Sequence, residues 1–256
     1  MGGSNYDSVF YEEIGKVEDN HFWFRHRKEV IVNLILRYAG APKGFRMLDV
    51  GSGTCSIAAC IARSFSLSRV YCTDLNIQGL KDGRKKFGVR AAMLDMRSGA
   101  LKCKFDVIGM FDVLEHIEDD EGMIRTAAKN LTDNGTLMVT VPFGPQLWSN
   151  FDIVSGHQRR YLKEELRSKL GSAGFDVCYL SHLFSFLAPL MFLSRGRKEQ
   201  GRDDIAAEVR RQLNPPPAVN FLFRCMLKPE GMIMRMGGVI PYGSSLIAVA
   251  KKRLST

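Results

Sequence analysis

The residues best placed to do chemistry are four aspartates and two histidines. Asp49, Asp74, Asp95 and Asp112 lie at or near the ends of short apolar runs, and His116 and His157 follow in polar stretches. Carboxylates at such positions can each accept hydrogen bonds from one part of a cationic, hydroxyl-rich ligand; the competing role for any one of them is a helix N-cap. Imidazole is the side chain whose ordinary pKa suits a base near neutrality. Just after Asp49 comes Gly51-Ser52-Gly53. Two glycines there permit positive φ and remove the Cβ atoms that would keep a nucleotide-like ligand from the backbone. A dinucleotide site would place a third glycine where Ser56 stands, and no phosphate-gripping lysine of the Walker type follows. The ligand expected at this turn therefore carries no pyrophosphate.

These residues need a scaffold, and the hydrophobic pattern supplies one. Strands are predicted at 46–51, 69–74, 89–95, 105–112 and 136–142, with helices at 55–65, 77–87 and 119–131 between them. Asp133-Asn134-Gly135 reads as the turn before the fifth strand. Such alternation implies right-handed crossovers and an α/β, doubly wound, mostly parallel sheet covered on both faces. Ligands then bind beyond the carboxyl ends of the strands, where the four aspartates are expected. Asp74, 25 positions after Asp49 and followed by Leu75, is placed to take both hydroxyls of a ribose. Before the sheet, residues 1–20 read as a frayed arm or short helix, and 21–36 as a helix stopped by Gly40 and Pro42. After it come a helix at 162–172, a strand at 175–182 and a last strand at 246–250.

Composition narrows the class. With 256 residues, 45% hydrophobic and 25% charged, the chain has length enough for one large core. No apolar run approaches the roughly 20 residues needed to span a bilayer, and the start resembles no signal peptide. The six cysteines form no Cys-x-x-Cys pair and no zinc-type cluster, which points to reduced thiols, a cytoplasmic location and no metal site. The net charge of +9 is compatible with acidic substrates, nucleic acid or a membrane surface, and its scatter singles out none of them.

The segment Asp49-Val-Gly-Ser-Gly-Thr-Cys55 resembles the glycine motif of class I S-adenosylmethionine-dependent methyltransferases, with Cys55 where the family has its last glycine. Leu94-Asp95-Met96 and Phe111-Asp112-Val-Leu-Glu115-His116 resemble later segments of the same family, in order and at matching spacing. The resemblance implies a seven-stranded sheet and S-adenosylmethionine as cofactor. It places Asp74 on the ribose, Asp95 with Met96 at the adenine, and Phe111 with Asp112 by the methionine moiety, joining Asp49, Gly51, Gly53 and Leu75. Phe22-Trp23-Phe24-Arg25, Leu147-Trp148-Ser149, Gly156-His157-Gln-Arg159-Arg160-Tyr161 and the segment from Ile240 to Leu246 resemble a bacterial small-molecule or glycoconjugate subgroup. Trp23 among three consecutive aromatics, followed by Arg25, could close over an adenosine or pair with a carboxylate, and both are expected near the cofactor. Arg159 or Arg160 could clamp a phosphate or carboxylate, and with Trp148 and Tyr161 they are expected near the acceptor.

The expected organisation is one domain: an N-terminal helical arm (1–40), a cofactor core (41–183), a helical cap insertion (184–236) and a final strand (237–256). The expected reaction is O-methylation of a small molecule or glycoconjugate by in-line displacement, with His157 the first candidate for general base and His116 the second. N- or C-methylation, and in another class a nicotinamide-dependent oxidoreductase, are the alternatives. Apolar and basic residues mix in 184–236. Cap packing with a dimer face is placed ahead of membrane-surface contact, and no nucleic-acid partner is expected; a monomer or homodimer fits.

Overall fold

A computed structural model describes residues 14–39, 44–189 and 210–254. Its centre is a seven-stranded sheet of β1 (Arg46–Val50), β2 (Arg69–Asp74), β3 (Arg90–Met93), β4 (Phe105–Phe111), β5 (Leu131–Pro142), β6 (Phe175–Leu183) and β7 (Ser245–Lys252). The order across the sheet is β3-β2-β1-β4-β5-β7-β6. Pairs among β1 to β5 are parallel, while β7 runs antiparallel to both β5 and β6. The order reverses between β1 and β4, so the carboxyl ends of these two strands flank the switch point where α/β sheets bind ligands.

Helices cover both faces: α1 (Phe22–Tyr38), α2 (Ser56–Ser64), α3 (Ile77–Phe87), α4 (Asp120–Asn130), α5 (Asn150–Val154), α6 (Lys163–Ser172) and α7 (Pro217–Arg235). Side-chain alternation in the strands sorts the core into two layers. Met47, Val107 and Met138 face the layer with α1, α2 and α7; Leu48, Val50, Ile108 and Val139 face the layer with α4 and α6. Strands this thoroughly buried read as continuous apolar runs, and so the sequence shows them clearly.

The boundaries differ from the sequence pattern in two informative places. β3 stops at Met93, because Asp95 caps a short 3-10 turn over Met96–Ser98 through Arg97 N–H (2.9 Å). β5 begins at Leu131, before the Asp133–Gly135 turn, which lies inside the strand as a register jump: Phe105 pairs with Leu131 and Val107 with Thr136. Asn134 there takes φ 61°, a left-handed conformation that asparagine tolerates. The expected helix stop at Gly40 and Pro42, the start of the arm and much of the 184–236 insertion fall outside the described residues.

The described end of the arm is pinned rather than frayed. Glu18 is buried, accepts a hydrogen bond from the Thr54 hydroxyl, and its backbone carbonyl accepts from Lys28 Nζ (3.1 Å). α7 seats on α1 through Leu227 and Met234 and through Glu230, which accepts from Phe184 N–H (2.7 Å) and Ser185 N–H (2.8 Å) and pairs with His26 (2.9 Å).

Candidate cofactor and acceptor site

The glycine turn follows β1 directly. Gly51 (φ 64°) and Gly53 (φ 52°) are left-handed, and a Cβ on Gly51 would lie 2.7 Å from a Val113 methyl. Cys55 also takes a left-handed φ of 61°, which explains why the related motif carries glycine there. Its buried side chain needs room, and α3 provides it. A Cβ on Gly83 would meet Cys55 Sγ at 2.8 Å and Thr54 carbonyl oxygen at 2.5 Å, and one on Gly79 would meet Gly53 carbonyl oxygen at 2.7 Å. Two glycines one helical turn apart therefore let α3 press against the turn, a Gly-x-x-x-Gly signal that the sequence reading passed over.

Asp74 ends β2 beside this turn. One oxygen accepts from Gly53 N–H (2.7 Å) and the other from Asn76 N–H (2.7 Å). Each carboxylate oxygen has a second lone pair to offer, and the neighbouring Leu75 is exposed. Asp49 lies beneath the turn and is 1% exposed; its Oδ2 finds no hydrogen-bond partner among the described residues. Burial pushes the Asp49 carboxyl up to about 8, helped by the nearby Asp74 and opposed by the Arg27 cation. A glycine cradle that side chains would fill, together with an orphaned buried carboxyl oxygen, fits a ligand that brings hydroxyls and a positive charge.

Asp112 follows β4 with φ 57°. It accepts from Thr140 Oγ1 (2.8 Å) and pairs with Arg27, which reaches across from α1. The sequence reading chose Arg25, and this is corrected: Arg25 turns to the other side of α1, where it lines a groove against α7 with Arg224 and Lys228. Trp23 and Arg27 are i and i+4, so helical spacing from Trp23 was the missed signal. Trp23 packs on Phe184 (5.0 Å) and Phe151 (6.0 Å). Three further expectations shift. Met96 is 2% exposed and fills the core beside Leu48 and Met110, so its side chain is not a surface for a base. Phe111 is likewise buried in the core. Asp95 is engaged by its own turn, with Arg97 held at 2.7–3.1 Å and its pKa lowered by that hydrogen bonding.

Beyond β4 and β5 a second cluster forms. His157 Nδ1 lies 2.8 Å from Asp152 Oδ1. Asp152 is wholly buried and also receives Arg160 Nε and Nη2 (2.8 Å each) and Ser149 N–H and Oγ. Burial alone would raise the Asp152 carboxyl, but hydrogen bonds from His157 and Arg160 hold it well below the usual carboxylate range. His157 Nε2 faces Glu115 Oε1 at 3.9 Å. Glu115 is fully buried, neither of its oxygens has a hydrogen-bond partner among the described residues, and burial pushes it up to about 8. His116 stands edge-on to His157 (4.9 Å between rings), with Nδ1 3.2 Å from Gly156 carbonyl oxygen; burial, then the neighbouring His157, pushes it down to about 4. Ligand-type atoms of Glu115, His116 and His157 lie within 4.8 Å of one another, a grouping that could hold a divalent cation and that spacing along the chain did not reveal.

The expected acceptor contacts fare unevenly. Arg160 is consumed by Asp152 and Phe143 carbonyl oxygen (3.1 Å). Tyr161 is fully buried with its hydroxyl on Asp120 (2.7 Å), and Arg159 is tied to Glu118 carbonyl oxygen (3.1 Å) and Asp120 (3.5 Å). All three brace the loop. Trp148 is exposed.

A family model described as "Methyltransferase domain" matches residues 23–180, more than half of the chain. The chain belongs to the class I S-adenosylmethionine-dependent methyltransferase family. The matched range includes both clusters. Two curated relatives, probable S-adenosylmethionine-dependent methyltransferases of two Mycobacterium tuberculosis strains, are 28% identical over 182 residues, covering 66% of this chain and 62% of theirs. The chain thus spans less than two thirds of the length of the curated relatives it matches. Among solved structures, a Haemonchus contortus phosphoethanolamine N-methyltransferase 2, bound to phosphomonomethylethanolamine and S-adenosylhomocysteine, has a TM-score of 0.62 at 17% identity, over 98% of this chain and 58% of that one. An Archaeoglobus fulgidus SAM-dependent methyltransferase has a TM-score of 0.52 at 16% identity, over 88% and 94%. At these identities the likeness is one of methyltransferase fold.

Proposed function

We propose that this methyltransferase binds S-adenosylmethionine at the turn between β1 and α2 and methylates a hydroxyl of a small molecule or glycoconjugate. The cofactor supplies an activated methyl on a sulfonium; the chain's own residues position, orient and manage protons. Gly51 and Gly53 let backbone approach the nucleoside, Asp74 offers lone pairs to its hydroxyls, and Asp112 faces cationic groups. Buried Asp49, which holds its proton near neutrality in the free chain, can release it against a bound cation. Arg27 restrains the Asp112 charge by pairing with it.

The observation that carries the acceptor half is the His157–Asp152 contact. An ionised Asp152 fixes the Nδ1–H tautomer of a neutral His157, leaving the Nε2 lone pair to accept a proton. In-line displacement depends on alignment first, and proton removal adds a further factor of about 10²–10⁴. His157→Gln is therefore expected to lose about a hundredfold or more in turnover while binding S-adenosylhomocysteine as tightly as the parent. The acceptor for that assay is found by screening hydroxyl-bearing small molecules and sugar conjugates for methyl uptake. Unchanged turnover in the variant would remove the base role. Methyl uptake only on amines, unaffected by the substitution, would favour N-methylation instead. The insertion at 184–236 is proposed as part of the acceptor side, and the whole chain as one domain.

A further inference from the structure

Helix α7 has two apolar faces, and a single partner accounts for only one of them. Its inner face, with Leu227, Glu230 and Met234, is buried against α1 and the end of β6. Its outer face carries Phe221 (66% exposed), Leu222 (54%), Met226, Met232 (60%), Ile233 and, one residue past the helix, Met236 (69%). At 100° per residue these six fall within an arc of about 140°. A stripe of that size on one surface helix exceeds the scattered apolar exposure normal for a folded protein.

What borders the stripe identifies the occupant. Arg224, Lys228 and Arg235 run along one edge of it. There they line a groove of about 290 Å³ between α7 and α1, joined by Arg25 and one acid, Glu29. Phe22, Leu227 and Met232 supply its apolar wall. Four cations against one carboxylate make the groove a receptor for an anionic group, and its apolar wall runs into the exposed stripe through Met232. We infer that this face of α7 docks on an anionic lipid bilayer, with the stripe lying among the upper acyl carbons and a phosphate headgroup seated in the groove. An apolar strip edged by long basic side chains is the arrangement of helices that lie in the membrane interface, where Lys and Arg reach up to the headgroups. No helix among the described residues is long and apolar enough to cross a membrane, so the contact is peripheral. A soluble anion would use the groove and leave the stripe uncovered. A second copy packing antiparallel through a twofold axis would cover the stripe but bring each basic edge beside its own image.

The test uses the full chain and does not depend on methyl transfer. Sedimentation with phosphatidylcholine vesicles is compared with sedimentation with vesicles that also contain phosphatidylglycerol. Binding is expected to be about tenfold or more tighter on the anionic vesicles and to weaken with salt. The variants Phe221→Ser/Leu222→Ser/Ile233→Ser and Arg224→Ala/Lys228→Ala/Arg235→Ala are each expected to lose about tenfold. The control Lys81→Ala/Arg84→Ala/Lys85→Ala, which removes three exposed cations of α3, is expected to bind like the parent. A Leu222→Trp reporter, conservative enough to keep the fold, is expected to shift its emission to the blue on anionic vesicles only. Four results would overturn the inference: no vesicle binding, equal binding to both vesicle types, losses matched by the α3 control, or a reporter that does not shift. A dimer in sedimentation velocity that the serine variant dissociates would assign the face to a second copy and overturn it as well.

Discussion

At the scale of single residues, the account rests on acids held where water cannot reach them. Asp49 and Glu115 stand near 8 in the folded chain, against about 4 when unfolded. The folded state keeps these two protons between those limits and the unfolded state does not. Their contribution to stability is thus complete below about pH 4, declines as pH rises, and is gone above about 8. His116 runs the other way. Pushed down to about 4, it favours the folded state as pH rises toward its ordinary 6.5 and adds no slope above that. A window from about pH 7 to 8 therefore carries mainly the slope of the acids, because the buried Cys72 thiol, raised by its surroundings, adds a fall of its own at higher pH. The melting temperature of the ligand-free protein is expected to fall across it, and Asp49→Asn to flatten the fall. An equal slope in the variant, read by differential scanning calorimetry, would mean that Asp49 already ionises well below neutrality. These burials could not be read from the sequence. Asp49 sits in an apolar run, but Glu115 lies in a polar one, and its isolation comes from the 149–160 loop folding back over it through Asp152 and His157.

At the scale of elements, local signals were legible and contacts between distant elements were not. The central strands β1, β4 and β7 announced themselves as apolar runs, and the glycine turn as a break before a helical repeat. Asn76 and Asp119 cap α3 and α4 through backbone N–H groups two or three residues on, as their residue types lead one to expect. Arg25, expected near the cofactor, lies instead in the groove between α1 and α7, while Arg27 reaches Asp112; which side of α1 faces which neighbour could not be read from its own sequence. Arg160 could have clamped an anionic acceptor, but it is held by buried Asp152, and Tyr161 by Asp120. The packing of α3 against the turn makes an element-level prediction. Gly83→Ala forces a methyl against Thr54 carbonyl oxygen and Cys55, and backbone cannot yield as a flexible side chain would. Overpacking of this kind costs about 1–3 kcal/mol. The variant is expected to unfold at lower denaturant and to bind S-adenosylhomocysteine at least about tenfold more weakly, because the displaced backbone is the cradle itself. Chemical denaturation and calorimetry check both halves; parent-like affinity would mean the turn does not need α3 so close.

At the scale of the whole molecule, the sheet order places the two candidate clusters on either side of the reversal between β1 and β4, joined by one helix. Arg27 of α1 carries charge to Asp112, and Trp23 one turn away packs on Phe151 of α5, which belongs to the His157 side. The cofactor half was the more legible because its groups lie within a few residues of strand ends, where strand order alone positions them. The His157 cluster was less legible because it is assembled from the turn after β4 and the loop after β5, which meet only in the fold. The central claim is that the turn after β1 receives S-adenosylmethionine rather than a dinucleotide. The most direct measurement is calorimetric titration of the purified full chain with S-adenosylhomocysteine and, separately, with NAD, repeated on Asp74→Asn. Binding of S-adenosylhomocysteine alone, at one per chain and weakened about tenfold or more in the variant, is the predicted result. Binding of NAD, no binding of S-adenosylhomocysteine, or an affinity indifferent to Asp74 would contradict it.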